Sequence, residues 1–172
     1  MRKSLVVMLV VLCALVFVSA ASADTMTFAL SGTGWSSSGT FIGSPTAPGT
    51  WLVTAASGTF NAVTITGVWP TSNSGNIFYF NNNYYWPGPP NVDNAGIVVT
   101  LQNGDLVNFC YDAPNCAQPG GYAALLWDPT TGTTFLDANS VSFGQPIPEP
   151  GTLALLGMSV LGLAGIMRRR MF

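Results

Sequence analysis

The side chains that could do chemistry in this 172-residue chain are seven carboxylates and three cysteines, with no histidine among them. All five lysine and arginine residues lie near the two ends of the sequence, at Arg2, Lys3 and positions 168–170. Serine and cysteine nucleophiles usually need a histidine base, and oxyanion or phosphate charge usually needs a cation. The uncharged and acidic middle region therefore argues against those enzyme classes. Its lack of cations also argues against nucleic-acid binding through phosphate neutralisation.

Glycoside hydrolysis is the reaction that two carboxylates could still carry. However, Asp105 lies in a predicted hairpin turn and Asp128 precedes a turn proline, where aspartate has ordinary structural roles. Asp93, in the sequence "NVDN", could bind calcium weakly, but no complete oxygen-ligand loop surrounds it. We expect no catalytic residue, no metal site and no cofactor. A secreted hydrolase stays the third alternative for function.

The middle of the chain has the sequence pattern of β-strands. Apolar and small or polar residues alternate from Thr25 to Ser31, which places Met26, Phe28 and Leu30 on one face of a strand. In the run from Val63 to Trp69, residues Val63, Ile65 and Trp69 likewise fall on one face. Asn103-Gly104, between Ile97–Gln102 and Leu106–Tyr111, predicts a hairpin with a type I′ turn. A second hairpin is predicted from Tyr122–Trp127 and Thr133–Leu136, and Val141–Phe143 adds a closing strand. "SGTF" occurs twice, at Ser38–Phe41 and Ser57–Phe60, and is interpreted as two strand entries after glycine turns. These short strands with Gly, Pro and Asn between them predict an all-β fold, an antiparallel β-sandwich over residues 24–145.

Aromatic residues are concentrated in "NIFYFNNNYYWPGPP". A strand over Ile77–Phe80 would send alternate rings to the core. The following asparagines and Pro87 would then present Tyr84, Tyr85 and Trp86 on a loop. Flat rings beside amides are suited to stacking on and hydrogen bonding with carbohydrate. The alternative is that these aromatics are packing residues of a β domain.

The N-terminus has the pattern of a secretory signal. Arg2 and Lys3 precede an apolar run from Leu5 to Val18, and small residues end at Ala23 before Asp24. This order predicts a signal peptide over residues 1–23, translocated by the Sec system and cleaved by signal peptidase between Ala23 and Asp24. An uncleaved membrane helix is the alternative, although the run is short for a span.

Export bears on the two cysteines that follow the predicted signal peptide. Cys110 and Cys116 bracket "YDAPN", whose Pro114 and Asn115 favour a turn that brings the cysteines together. In an oxidising compartment an even pair favours a disulfide. A redox or metal pair is the alternative, but the spacing is not that of a thioredoxin-like or zinc motif.

The C-terminal residues 146–172 have three parts in order. Pro148-Glu149-Pro150 is followed by an uncharged, apolar stretch from Gly151 to Met167 and then by Arg168, Arg169 and Arg170. As a helix, residues 151–167 would span roughly 25 Å, somewhat short of a hydrocarbon core of about 30 Å. The arginines should stop transfer and stay cytoplasmic, which places the middle of the chain outside the inner membrane.

This tripartite pattern resembles the PEP-CTERM sorting signal. The resemblance implies processing by an exosortase, a membrane-embedded transpeptidase-like enzyme of Gram-negative bacteria that typically make extracellular polysaccharide. It also implies transient residence in the inner membrane and delivery to the cell surface or matrix. A proline-rich spacer before a permanent anchor is the alternative. We therefore expect an exported structural or adhesive component of a polysaccharide or biofilm matrix, with polysaccharide as partner, and a carbohydrate-binding module as the second hypothesis.

Overall fold

A computed structural model describes residues 23–112, 116 and 121–148. Within those residues the chain forms β-strands and one 3-10 turn at Thr71–Asn73, and it has no α-helix. The strands are β1 Asp24–Gly32, β2 Trp35–Ala47, β3 Thr50–Phe60, β4 Val63–Val68, β5 Asn83–Tyr85, β6 Ile97–Leu101, β7 Leu106–Tyr111, β8 Tyr122–Asp128, β9 Gly132–Asp137, β10 Ser140–Phe143 and β11 Ile147–Pro148. The all-β prediction is confirmed for this part of the chain.

The strands pair antiparallel along one path, in the order β10-β1-β2-β3-β4-β6-β7-β8-β9, with β5 paired to β3 beside it. This is one curled sheet, whereas a sandwich would have two separate sheets. Register shifts after Ile42 and after Pro45 mark irregularities in β2, and such bulges bend and twist a strand. The indole of Trp35 in β2 donates to the carbonyl of Asp137 in β9 at 3.0 Å, which ties the far end of the path back to its beginning. Curling encloses the core without a second sheet.

The core lies on the inner face of this sheet. Met26, Phe28 and Leu30 are all buried there, as the alternation of β1 predicted. Phe28 stacks on Phe41 of β2 at 4.2 Å between ring centroids and lies 5.4 Å from Phe109 of β7. Burial of such large apolar side chains supplies most of the driving force for the fold.

A second, smaller apolar cluster covers the outer face of the sheet around β6 and β7. Val98 and Leu106 are buried there under Phe78 and Phe80. Residues 77–80 do not form the strand that the sequence predicted, because they pack over the sheet instead of pairing in it. Their alternation is nevertheless as expected, with Phe78 and Phe80 buried and Tyr79 71% exposed.

The prediction that Trp69 lies on the same face as Val63 and Ile65 is wrong. Ile65 is buried in the inner core, but a register shift between Ile65 and Gly67 reverses the alternation that follows. Val68 therefore packs against the inner core, while Trp69 packs against the outer cluster. A bulge of one residue moves every later side chain of a strand to the opposite face.

Both predicted hairpins are present. β6 and β7 flank the Asn103-Gly104 turn, but of these two residues only Gly104 has a positive φ, so the turn is not type I′. Its geometry is fixed instead by Asn103, whose side-chain oxygen accepts from the backbone N–H of Asp105. β8 and β9 form the second hairpin within one residue of the predicted bounds, and β10 is the closing strand.

The two "SGTF" segments pair with each other, an arrangement the sequence did not predict. Ser38 lies opposite Thr59 and Gly39 lies opposite Gly58, in the interior of the long β2–β3 hairpin. A Cβ on either glycine would meet backbone atoms of the facing strand. The interpretation of "SGTF" as strand entries is thus wrong, and its glycines allow close approach of two backbones.

Candidate functional site

Tyr84 is one of the largest fully buried side chains of the described chain, with 0% of its surface exposed. It belongs to β5, which pairs with β3, and its hydroxyl donates to the carbonyl of Gly144 at 2.6 Å. Burial, followed by the effect of Tyr122, raises the pKa of Tyr84 well above its ordinary value. A ring without exposed surface cannot stack on a sugar, so the prediction of carbohydrate contact at Tyr84 is corrected to a core role.

Tyr85 is half-buried, and its hydroxyl is already committed to Asp93. It donates to the Asp93 carboxylate at 2.9 Å. Burial raises the pKa of Tyr85, and this hydrogen bond raises it further. Trp86 is also half-buried, and it packs against the inner core cluster. Sugar contact at Tyr85 and Trp86 stays a prediction, with less free surface than a loop would offer.

The asparagines before Tyr84 hold the backbone in place. Asn82 is buried, and its side chain donates to the carbonyl of Trp69 and accepts from the N–H of Val98, both at 2.9 Å. Asn81 donates to Asp93 at 2.6 Å. Asn82 thus connects the aromatic segment to β6, and Asn81 connects it to the loop before β6, so the amides of both residues have structural partners. Asn82 has a positive φ, a conformation that asparagine adopts more readily than most other residues. The asparagines were therefore a sequence signal for a turn at this position.

Asp93 is the centre of this local network. One carboxylate oxygen accepts from Asn81 and Tyr85, and the other accepts from the backbone N–H groups of Ala95 and Gly96. Two oxygens that each receive two hydrogen bonds are well satisfied without any metal. Among the described residues no group of three or more potential metal-ligating side chains occurs. The sequence signal that could have indicated this role is the Asp-x-x-Gly spacing of an Asx turn.

Other carboxylates also have structural partners. Asp105 accepts from the side-chain amide of Asn103 at 2.7 Å. Asp128 accepts from the backbone N–H and hydroxyl of Thr130, each at 2.6 Å, and these hydrogen bonds lower the pKa of Asp128. Both aspartates thus stabilise turns, as their sequence context indicated.

The Cys110–Cys116 disulfide is present, with 5.7 Å between the two Cα atoms. Cys110 lies on the outer face of β7. Together with Cys116 it packs against Ala123 of the neighbouring strand β8. The predicted disulfide is therefore confirmed. Its six-residue separation closes a small loop between β7 and β8.

Asp24, the residue predicted to follow signal cleavage, begins β1. Its carboxylate accepts from the indole N–H of Trp51 in β3 at 2.7 Å. Ala23 is the first described residue, and residues 1–22 of the predicted signal peptide lie outside the described ones.

At the other end, Pro148 is the last described residue and closes β11. Glu149, Pro150, the predicted span 151–167 and Arg168, Arg169 and Arg170 lie outside the described residues. No helix within 23–112, 116 and 121–148 has the length and apolar character needed to cross a membrane.

Comparison with known protein families decides the nature of this C-terminal region. Residues 146–170 match the model of the PEP-CTERM protein-sorting motif. The chain carries a PEP-CTERM sorting motif. The resemblance noted from Pro148-Glu149-Pro150, the apolar stretch and the arginines is confirmed. The motif implies export and processing by an exosortase. Comparison with curated proteins and with solved structures found no match.

Proposed function

We propose that this chain is an exosortase-sorted protein of the cell surface or extracellular matrix, and that its β domain has a structural or adhesive role among extracellular polysaccharides. The sorting motif at residues 146–170 is the observation that carries the proposal. Its position after the described β domain fits a protein whose domain is exported first and whose tail is processed afterwards.

The composition of the domain supports a non-enzymatic role. Residues 24–145 contain six aspartates and no His, Lys or Arg. The hydrogen bonds of Asp93, Asp105 and Asp128 hold turns and strands in place. A sheet in which strand pairing, a disulfide and side-chain amides all fix the backbone is suited to a mechanical or adhesive component.

The route of export follows from the two ends. In this proposal residues 1–23 direct the chain to the Sec translocon and are removed by signal peptidase. Residues 151–167 then hold the chain in the inner membrane, with Arg168, Arg169 and Arg170 on the cytoplasmic side. Exosortase acts near Pro148-Glu149-Pro150 and passes the domain to the surface.

Replacing Glu149 with alanine tests the sorting step. Glu149 supplies the one charge of the Pro-Glu-Pro segment, while the span and the arginines stay intact. Glu149→Ala should therefore accumulate in the inner membrane at full length, measured by membrane fractionation and immunoblotting. Asp105→Asn, which removes one negative charge from a turn of the domain, is the matched control and should reach the surface normally. Surface delivery of Glu149→Ala at the wild-type level would contradict the proposal.

A further inference from the structure

An open cleft of about 280 Å³ lies where β3 separates from β4. β3 pairs with β4 only between Gly58–Phe60 and Val63–Ile65, whereas its first residues, Thr50–Leu52, pair with β5. The rest of β4 follows β6 after the register shift at Ile65 and Gly67. The two strands therefore part, and the gap between them is lined by the first half of β3, by residues 68–72 and by Asn82.

Trp69 forms the main aromatic surface of this cleft. The same register shift turns it away from the inner core, and one part of its indole stacks on Phe80 at 5.5 Å and 19°. The rest of the half-buried ring lines the cleft beside Leu52. The indole N–H groups of Trp35 and Trp51 have acceptors, at 3.0 and 2.7 Å, but that of Trp69 has none among the described residues. A half-buried indole with a free donor is suited to an amphipathic ligand.

Hydroxyl groups stand beside this ring. Thr54, Thr71 and Ser72 line the cleft and are exposed. Thr54 donates to the carbonyl of Ile42 only at the long distance of 3.4 Å, so its oxygen can accept further hydrogen bonds. A flat apolar ring next to hydroxyls matches a sugar, which has C–H groups on its faces and hydroxyls at its edges.

The charge of the cleft and of the domain around it indicates which kind of carbohydrate would bind. None of the residues that line the cleft is ionisable. The domain around it has six aspartates and no cation over residues 24–145, so an anionic polymer would be repelled. A cationic ligand would find no carboxylate in the cleft. An uncharged ligand is the best electrostatic match.

We propose that this cleft binds a neutral polysaccharide, with one or two sugar rings seated on Trp69 and against the hydroxyls of Thr54 and Ser72. The inference rests on the proposed role among extracellular polysaccharides and gives it a site. A volume of about 280 Å³ is slightly below the roughly 300–1,000 Å³ of small-molecule pockets, which suits a short stretch of a longer chain. This proposed carbohydrate site is centred on Trp69 and is distinct from the contact that the sequence predicted at Tyr84, Tyr85 and Trp86.

The test uses the full chain in detergent and affinity electrophoresis against neutral glucans, mannans and galactans, with polygalacturonate as the anionic polymer. The wild-type protein should be retarded by at least one neutral polymer and not by polygalacturonate. Trp69→Ala should weaken this retardation about three- to tenfold, the loss expected for one aromatic stacking partner.

Trp127→Ala is the matched control, because Trp127 packs against the same outer cluster without lining the cleft. It should lose comparable packing and keep the affinity for the neutral polymer. Ser72→Trp tests the cleft without disturbing that cluster: Ser72 is exposed, so the larger ring should obstruct the cleft and leave the melting temperature nearly unchanged.

The inference would be overturned by a lack of retardation by every neutral polymer, by equal losses in Trp69→Ala and Trp127→Ala, or by wild-type affinity in Ser72→Trp. Preference for polygalacturonate would assign the cleft to an anionic ligand and overturn the inference as well. Surface delivery is measured separately, and all three variants should be sorted like the wild type. A protein that binds glycan but keeps its tail would instead contradict the proposed function alone.

Discussion

Asp93 illustrates, at the scale of single residues, how a carboxylate is accommodated in a domain without cations. Its partners are an amide, a phenol and two backbone N–H groups, so its charge is satisfied by dipoles. Tyr84 shows how a buried polar group of another kind is accommodated, since its hydroxyl donates to the carbonyl of Gly144 inside an apolar core. Residues that looked available to a ligand are therefore part of the packing of the domain.

Tyr84→Phe should change stability in two ways. At neutral pH the variant should be less stable by about 1 kcal/mol, because the carbonyl of Gly144 loses its donor. Above about pH 10, where tyrosine ionises in the unfolded chain, the wild type should lose stability as pH rises toward the raised pKa of Tyr84. The variant should lose less in that range, because it lacks this ionisable group.

Urea denaturation at pH 7 and near pH 11 measures both effects. Tyr79→Phe is the control, since Tyr79 is 71% exposed and should behave like the wild type at both pH values. Equal stability of Tyr84→Phe and the wild type at pH 7 would contradict the buried hydrogen bond.

At the scale of elements, local patterns predicted most strands and missed the features that depend on distant partners. The alternation of β1 and the two hairpins could be predicted, because period-two burial and turn residues are local signals. β5 could not, because Asn83–Tyr85 is a strand only through its pairing with Thr50–Leu52. Likewise, the register shift that turns Trp69 outward follows from the pairing of β4 with β6.

The candidate site shows the same division. The Cys110–Cys116 pair was predictable, because its turn residues lie between the two cysteines. The burial of Tyr84 was not, because Phe143, whose ring packs against it, and Gly144, which accepts from its hydroxyl, lie far away in the sequence. The cleft at Trp69 was invisible for that reason too, since it exists only where two strands separate.

Loss of the disulfide should destabilise the β7–β8 connection. On the chain-entropy model a loop with a sequence separation of six residues is worth about 2 to 2.5 kcal/mol. Cys110→Ser combined with Cys116→Ser should lower the free energy of unfolding by about that amount, measured by urea denaturation of protein taken from an oxidising environment.

Reducing agent provides the control for this prediction. It should destabilise the wild type to the level of the double variant and leave the double variant unchanged. Two free thiols in unfolded, unreduced wild type, or a double variant as stable as the wild type, would contradict a stabilising disulfide.

At the scale of the whole molecule, charge and function are segregated along the chain. The five cations lie at positions 2, 3 and 168–170, and the acidic residues lie between them. The C-terminal region carries the sorting motif. The N-terminal region carries the predicted signal peptide, and the β domain between them carries the surface role that we propose. The sorting motif at residues 146–170 connects the two, because processing there would release the domain from the membrane.

The intact mass of the protein recovered from the cell surface or medium tests this account most directly. The account predicts a chain that begins at Asp24 and lacks Gly151 to Phe172, with or without a group added by transpeptidation near Pro148-Glu149-Pro150. Surface protein whose mass still includes Arg168, Arg169 and Arg170 would contradict exosortase sorting and leave a β domain with a permanent anchor.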